Sequence, residues 1–185
     1  MKKRIKLLEF IKQNKTFLLL AAIALILFNH YIVLIGLIIF FWFLGMISFK
    51  VTGMIPHVSV ETISASSILL GYIWGWKWGL GFGLIFGLYG YIQISRIKLK
   101  SIINVLLMGL GGVLSAIFAS LNYSFTIAYM FTFIIRIILN NIIFPLVESD
   151  MMENVIHGFG DPIFNMLITF QIMNLIYNIV ILFPK

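Results

Sequence analysis

What most limits the fold of this chain is the length of its apolar runs. A hydrocarbon core about 30 Å thick is crossed by roughly 20 helical residues. From residue 17 to residue 49 the apolar sequence is broken only by Asn29-His30-Tyr31 and Ser48. Further runs occupy about 58–75, 79–95, 102–121, 124–147 and 163–183. In lipid every backbone N–H and C=O must be satisfied within the protein, so runs of this kind form helices. The expected fold is all-α: a polytopic transmembrane helical bundle, multi-pass in the cell membrane. It is one integral membrane domain over 1–185, with a six-helix core and with or without an extra N-terminal span. The first apolar region is too long for one upright span, at roughly 50 Å. It reads as a hairpin of two short spans turning at Asn29-His30, or as one broken or strongly tilted span.

Composition narrows the function classes. The chain is 62% hydrophobic and 10% charged, with a net charge of +7 and no cysteine. In a soluble protein that charge would suggest nucleic acid. Here the basic residues sit at the ends of apolar runs, where they act as topology signals and anionic-lipid contacts, and no nucleic-acid partner is expected. The lack of cysteine excludes disulfides, thiol nucleophiles and thiolate metal sites. The tail 1–15 is basic and partly amphipathic, suited to a membrane surface. Tail and following apolar run imitate a signal peptide, but no A-x-A-like cleavage site follows, so the segment is expected to remain. No H-E-x-x-H, G-x-S-x-G or P-loop occurs, so no enzymatic activity and no cofactor are expected. Glu153 and His157, four apart, form a weak metal-ligand pair in an otherwise flexible-looking 148–161 loop. Asp161-Pro162 reads as the N-cap and first residue of the last helix.

Connectivity places three loops on one face: 51–57, the basic 96–100 loop and 148–161. The opposite face carries Trp76-Lys77-Trp78, read as an interfacial turn, the Asn122-Tyr123 turn and the C-terminus. With two spans before residue 50 and the tail inside, the three-loop face is cytoplasmic and obeys the positive-inside rule. With one span it is external.

Glycines recur every fourth residue at Gly71, Gly75, Gly79, Gly83 and Gly87. Small residues at that spacing let membrane helices approach closely. Together with Pro56, Val58-Ser59-Val60-Glu61-Thr62, Leu70 and Lys77, this stretch resembles the second and third helices of S components. These are the substrate-binding membrane subunits of energy-coupling-factor (ECF) vitamin transporters. The resemblance covers about forty residues. It implies six helices with both termini inside, a small-molecule substrate near the external helix ends, and a partner membrane coupling subunit carrying two ATPases. The family's Ala-x-x-x-Ala in its first helix is here only a cluster of Ala21, Ala22 and Ala24.

Ionisable residues inside an apolar span point to function by default. Arg136 lies about 16 Å from the end of its span, and Tyr129, Thr132, Arg136 and Asn140 share an arc of about 80°. Gln171, Asn174 and Asn178 share an arc of about 60°, as interhelical glue or a pocket wall. Glu61 reads as one turn into its span, on the side of Ser64 and Tyr72. The candidate substrate-binding set is Glu61, Arg136, Asn140, Asn165, Gln171 and Asn174. Arg136 either pairs with Glu61 or Glu148, or holds an acceptor group of a ligand. The expected function is substrate capture for an ECF-type transporter. The alternative is a small polytopic scaffold or assembly protein, of the kind found in cell-shape machinery.

Overall fold

The computed structural model describes residues 29–54, 61–147 and 150–182. The basic tail, the 17–28 run with its alanine cluster, Pro56 to Val60 and Glu148 lie outside the described residues, as do the side chains of Glu153 and His157. Within them the chain is an all-α bundle of six helices. Helix α1 is Asn29–Met54, α2 is Ile63–Trp74, α3 is Trp76–Gln93, α4 is Leu99–Ser120 and α5 is Phe125–Val147. Helix α6 covers 151–180, an α-helix interrupted by π-helical turns at Ile156–Gly160 and Asn165–Thr169. Among the described residues four segments are long and apolar enough to cross a membrane: His30–Met54, Leu99–Ser120, Phe125–Val147 and Gly158–Val180. The chain is thus a multi-pass membrane protein.

Helix α2 is the axis of the bundle. Its 12 residues rise only about 18 Å, too short to span alone, and every residue from Ile63 to Gly71 is buried. A helix enclosed on all sides needs no amphipathic stripe. Its hydroxyls satisfy themselves on backbone carbonyls: Ser67 Oγ donates to Gly79 O at 2.7 Å and Met108 O at 2.9 Å. Ser115 Oγ donates back to Ile68 O at 2.8 Å.

The glycine repeat clamps α2, α3 and α4. A Cβ on Gly79 would lie 2.7 Å from the Gly112 Cα, and one on Gly83 would lie 2.7 Å from the Gly109 N. These contacts are backbone against backbone, so neither side can yield. Gly71 abuts Gly112 in the same way, while Gly87 faces the softer Met108 and Val105 side chains. Gly75 departs from the expected ladder. Nothing lies within 4 Å of its Cβ position, and its φ of 94° and ψ of 167° turn the chain between α2 and α3. That conformation is open essentially to glycine alone. The tryptophan pair is therefore not the turn: Trp76-Lys77-Trp78 already forms the first turn of α3.

Aromatic rings hold α1 to this core. Phe41 meets Phe82, Trp42 meets Phe86 and Phe49 meets Tyr91. The His30 ring lies 5.4 Å from that of Trp74, so α1 starts at the Gly75 end of the bundle and runs to the three-loop end. His30 is a helical residue there. The hairpin's second span corresponds to α1, and its first lies outside the described residues. Helix α1 also continues through Val51 and Gly53 to Met54, where the sequence suggested a loop.

The largest departure is at α6. Residues 151–160 are helical, and Asp161-Pro162 lies inside the helix instead of starting it. Proline lacks the N–H that an α-helix would use. The π turn ending at Gly160 falls just before Pro162, where widened turns relieve such a break. Gly160 itself keeps helical angles, φ −59° and ψ −52°.

Candidate functional site

The polar residues of the interior converge on Glu61 and Arg136. Glu61 precedes α2 and folds back over its N-terminus. The Ser64 N–H donates to Oε1 at 2.7 Å, and the Ser64 hydroxyl donates to Oε2 at 2.5 Å. A carboxylate here satisfies an orphan amide and complements the positive end of the helix dipole. Arg136 reaches it from α5: Nη1 donates to Glu61 Oε2 at 3.3 Å and also to Ser64 Oγ. Both members are buried, each with a side chain 4% exposed.

The network extends through two more helices. Arg136 Nη2 donates to Asn104 Oδ1 of α4 at 2.9 Å, and Asn104 Nδ2 donates to the Tyr91 hydroxyl of α3 at 2.6 Å. From α6, Asn165 Nδ2 donates to the Glu61 carbonyl at 2.7 Å and to Asp161 O at 2.9 Å. The Tyr129 hydroxyl of α5 donates to Asn165 O at 3.0 Å. Every helix from α2 to α6 thus contributes a side chain to one hub, α2 through Ser64, and Glu61 caps α2.

A second polar layer lies about 6 Å, one helical turn, nearer the three-loop end. Lys100 and Asn140 sit one turn beyond Asn104 and Arg136 on their helices. Both are buried, as are Asn154 and Asp161, and all four have polar or electrostatic partners. The Lys100 ammonium stands 5.2 Å from the centre of the Phe144 ring, within cation–π range. With 7% exposure, Lys100 belongs to the interior. The basic loop therefore loses one of the charges from which its cytoplasmic placement was argued.

Glu61, Arg136, Asn140 and Asn165 of the candidate set are buried here together, and the arc of Tyr129, Thr132, Arg136 and Asn140 is buried throughout. Gln171 and Asn174 do not join them. Gln171 is exposed and Asn174 half-buried, because the arc that α6 turns inward is Phe170, Met173 and Val180. Tyr72 is also separate from Glu61, at the far end of α2, where its hydroxyl donates to Tyr123 O at 2.7 Å. Ser64 lies beside Glu61 as expected, whereas Asn104, Tyr91, Asp161 and Lys100 escaped the sequence reading as members of this site. Asn104 carries the clearest retrospective signal, a carboxamide within an otherwise apolar stretch of α4 and one turn beyond Lys100.

Beside Arg136, between α4 and α5, lies a shallow groove lined by Leu107, Gly111, Thr132, Leu139 and their neighbours, with a volume of about 10 Å³, about enough for one water. Small-molecule sites usually enclose about 300–1,000 Å³. Arg136 Nε and Asn165 Oδ1 are buried without a hydrogen-bond partner among the described residues. No family model, curated protein or solved structure matches this chain.

Proposed function

We propose that the chain is a small polytopic assembly protein of the cell membrane, whose interior hub locks its helices into one shape for partners to bind. The reading rests on one observation. Both terminal nitrogens of Arg136 are engaged by acceptors of the chain itself, on Glu61, Ser64 and Asn104. An arginine so engaged has little left to hold a ligand carboxylate. Removing one member of a buried pair strands the other charge, which costs about 3–5 kcal/mol. Arg136→Met should therefore collapse folding, and Glu61→Gln added to it should restore most of the loss, read as thermal stability of the purified protein. Arg136→Met that stays folded without rescue would sink the assembly reading.

The second reading is substrate capture for an ECF-type transporter, working with a coupling subunit and two ATPases. The concentration of buried polar side chains toward the three-loop end favours it. So does the spare hydrogen-bonding capacity of Arg136 Nε and Asn165 Oδ1. Its substrate would be a small polar molecule such as a vitamin, held by the Lys100, Asn140 and Asp161 layer above the ion pair. The deciding measurement is mass spectrometry of small molecules released from the purified full chain. A stoichiometric compound lost in Asn140→Leu would transfer the conclusion to capture.

A further inference from the structure

Helix α6 presents carboxamides to the outside of the bundle. Gln171 and Asn178 are exposed and Asn174 is half-buried. The stripe lies about 100° around the helix from the buried arc of Phe170, Met173 and Val180. Gln171 is about 14 Å from the end of the helix at Val180, too far for its short side chain to reach the interface. A primary amide offers two donors and an acceptor, and leaving them unsatisfied in hydrocarbon is costly. Away from the helix ends, the other exposed residues of the described helices are apolar, as at Ile35, Phe43, Ile85, Leu106 and Phe131, while the exposed Lys50 and Thr126 lie near the ends of α1 and α5. The exposed Gln93 is the last residue of α3 and sits at an end.

The spacing adds a second argument. Gln171, Asn174 and Asn178 are separated by three and then four residues, the a/d spacing of a two-helix seam. Leu167 and Ile181 continue that spacing at either end and are 68% and 53% exposed.

We propose that this stripe is a homotypic seam, through which two copies of the chain pair by parallel α6 helices about a two-fold axis along the membrane normal. The occupant follows from chemistry. Amides both donate and accept, so at a two-fold axis Gln171 meets Gln171, Asn174 meets Asn174 and Asn178 meets Asn178, each at its own depth. Copies inserted with one topology present these groups in parallel, which the seam requires. Polar residues at such positions fix register and pair number at some expense of stability. The seam lies away from the hub and holds whether or not the hub takes a ligand.

The natural absence of cysteine allows a direct test in the full-length chain. Ile181→Cys continues the seam and leaves all three amides in place. Oxidation in native membranes should give a species of twice the 21.2 kDa chain mass. Phe43→Cys on α1 and Ile102→Cys on α4, both exposed, should give little. Equal cross-linking at the three sites, or Ile181→Cys cross-linking only to another polypeptide, overturns the proposal. The triple variant Gln171→Leu, Asn174→Leu, Asn178→Leu should weaken pairing by roughly tenfold or more, read by single-molecule photobleaching in phosphatidylethanolamine–phosphatidylglycerol vesicles. Wild-type pairing in that variant would equally overturn it. Should the triple variant fail to insert, the cysteine series decides alone.

Discussion

The Gly75 half of the bundle and the three-loop half are held together by opposite means. In the first, α2, α3 and α4 touch through Gly71, Gly79, Gly83, Gly109 and Gly112, with serine hydroxyls bonded to the exposed carbonyls. In the second, side chains from five helices meet around an ion pair. The first works by the absence of side chains, and lipid supplies no hydrophobic push to replace lost contacts. The second works by mutual satisfaction, and any member removed leaves another group buried and unpaired. Damage to the first should scale with added volume. Damage to the second should scale with the charge left exposed to low dielectric.

The largest effect is expected where backbone meets backbone. In Gly112→Leu the new side chain collides with Gly79 backbone, 2.6 Å from its Cα even at the Cβ position. Forced separation of α3 from α4 should cost about 4 kcal/mol or more, beyond ordinary overpacking of side chains. The measurement is the yield of monodisperse protein and its melting temperature. A Gly112→Leu protein that melts like wild type would erase the distinction between the halves.

The hub should respond next. Asn104→Leu leaves Arg136 Nη2 and the Tyr91 hydroxyl without the partner that joins them. Stranding a hydrogen bond to a charged group costs about 2–3 kcal/mol. Asn104→Asp should be far milder, since it keeps an acceptor for Arg136. Thermal melts of the two variants check this ordering, and equal losses would mean that the carboxamide's donation to Tyr91, not its acceptor for Arg136, is what the hub requires.

The two halves also differ in how far they can be read from sequence. The glycine repeat is legible because close approach requires a missing side chain, and that requirement is written at a fixed spacing. Helices α4 and α5 follow within three residues at each end from long, predominantly apolar runs. The arc of Tyr129, Thr132, Arg136 and Asn140 is likewise a local property of one helix. Its partners are not, because nothing in the spacing of α4 says that Asn104 faces Arg136 across 32 positions of sequence. Helix α6 misled twice. Asp161-Pro162 has the composition of a helix start, and only the π turn before it lets the helix pass through. Its amides share an arc as expected, yet periodicity fixes an arc and not the side of the bundle it faces. Interior polarity pointed inward by assumption, whereas rings of Phe125 and Tyr177, 4.7 Å apart, fill the inner side of α6.

Gly75 sharpens the comparison from within the first half. It belongs to the glycine repeat by spacing, but a side chain there would meet nothing, and only its backbone angles require glycine. Gly75→Ala should cost about 2 kcal/mol through strain alone. Bulk should add little: Gly75→Leu should lose no more than Gly75→Ala by more than about 0.5 kcal/mol. A steep increase with side-chain size would place Gly75 among the contact glycines after all.

The smallest effect, and of opposite sign, is expected at Gly81. It lies in the middle of α3 with nothing within 4 Å of its Cβ position and no positive φ. It therefore has neither reason for glycine that operates elsewhere in the chain. An alanine there fits without contact and restricts the unfolded backbone, so α3 should gain about 0.5–1 kcal/mol. In melting experiments Gly81→Ala should match or slightly exceed wild type, while Gly83→Ala, two residues on and facing Gly109 backbone, should fall clearly below it. A loss at Gly81 equal to that at Gly83 would show that something outside the chain packs against α3. The open face of the helix would then be a second contact surface, and glycine there would serve association rather than folding.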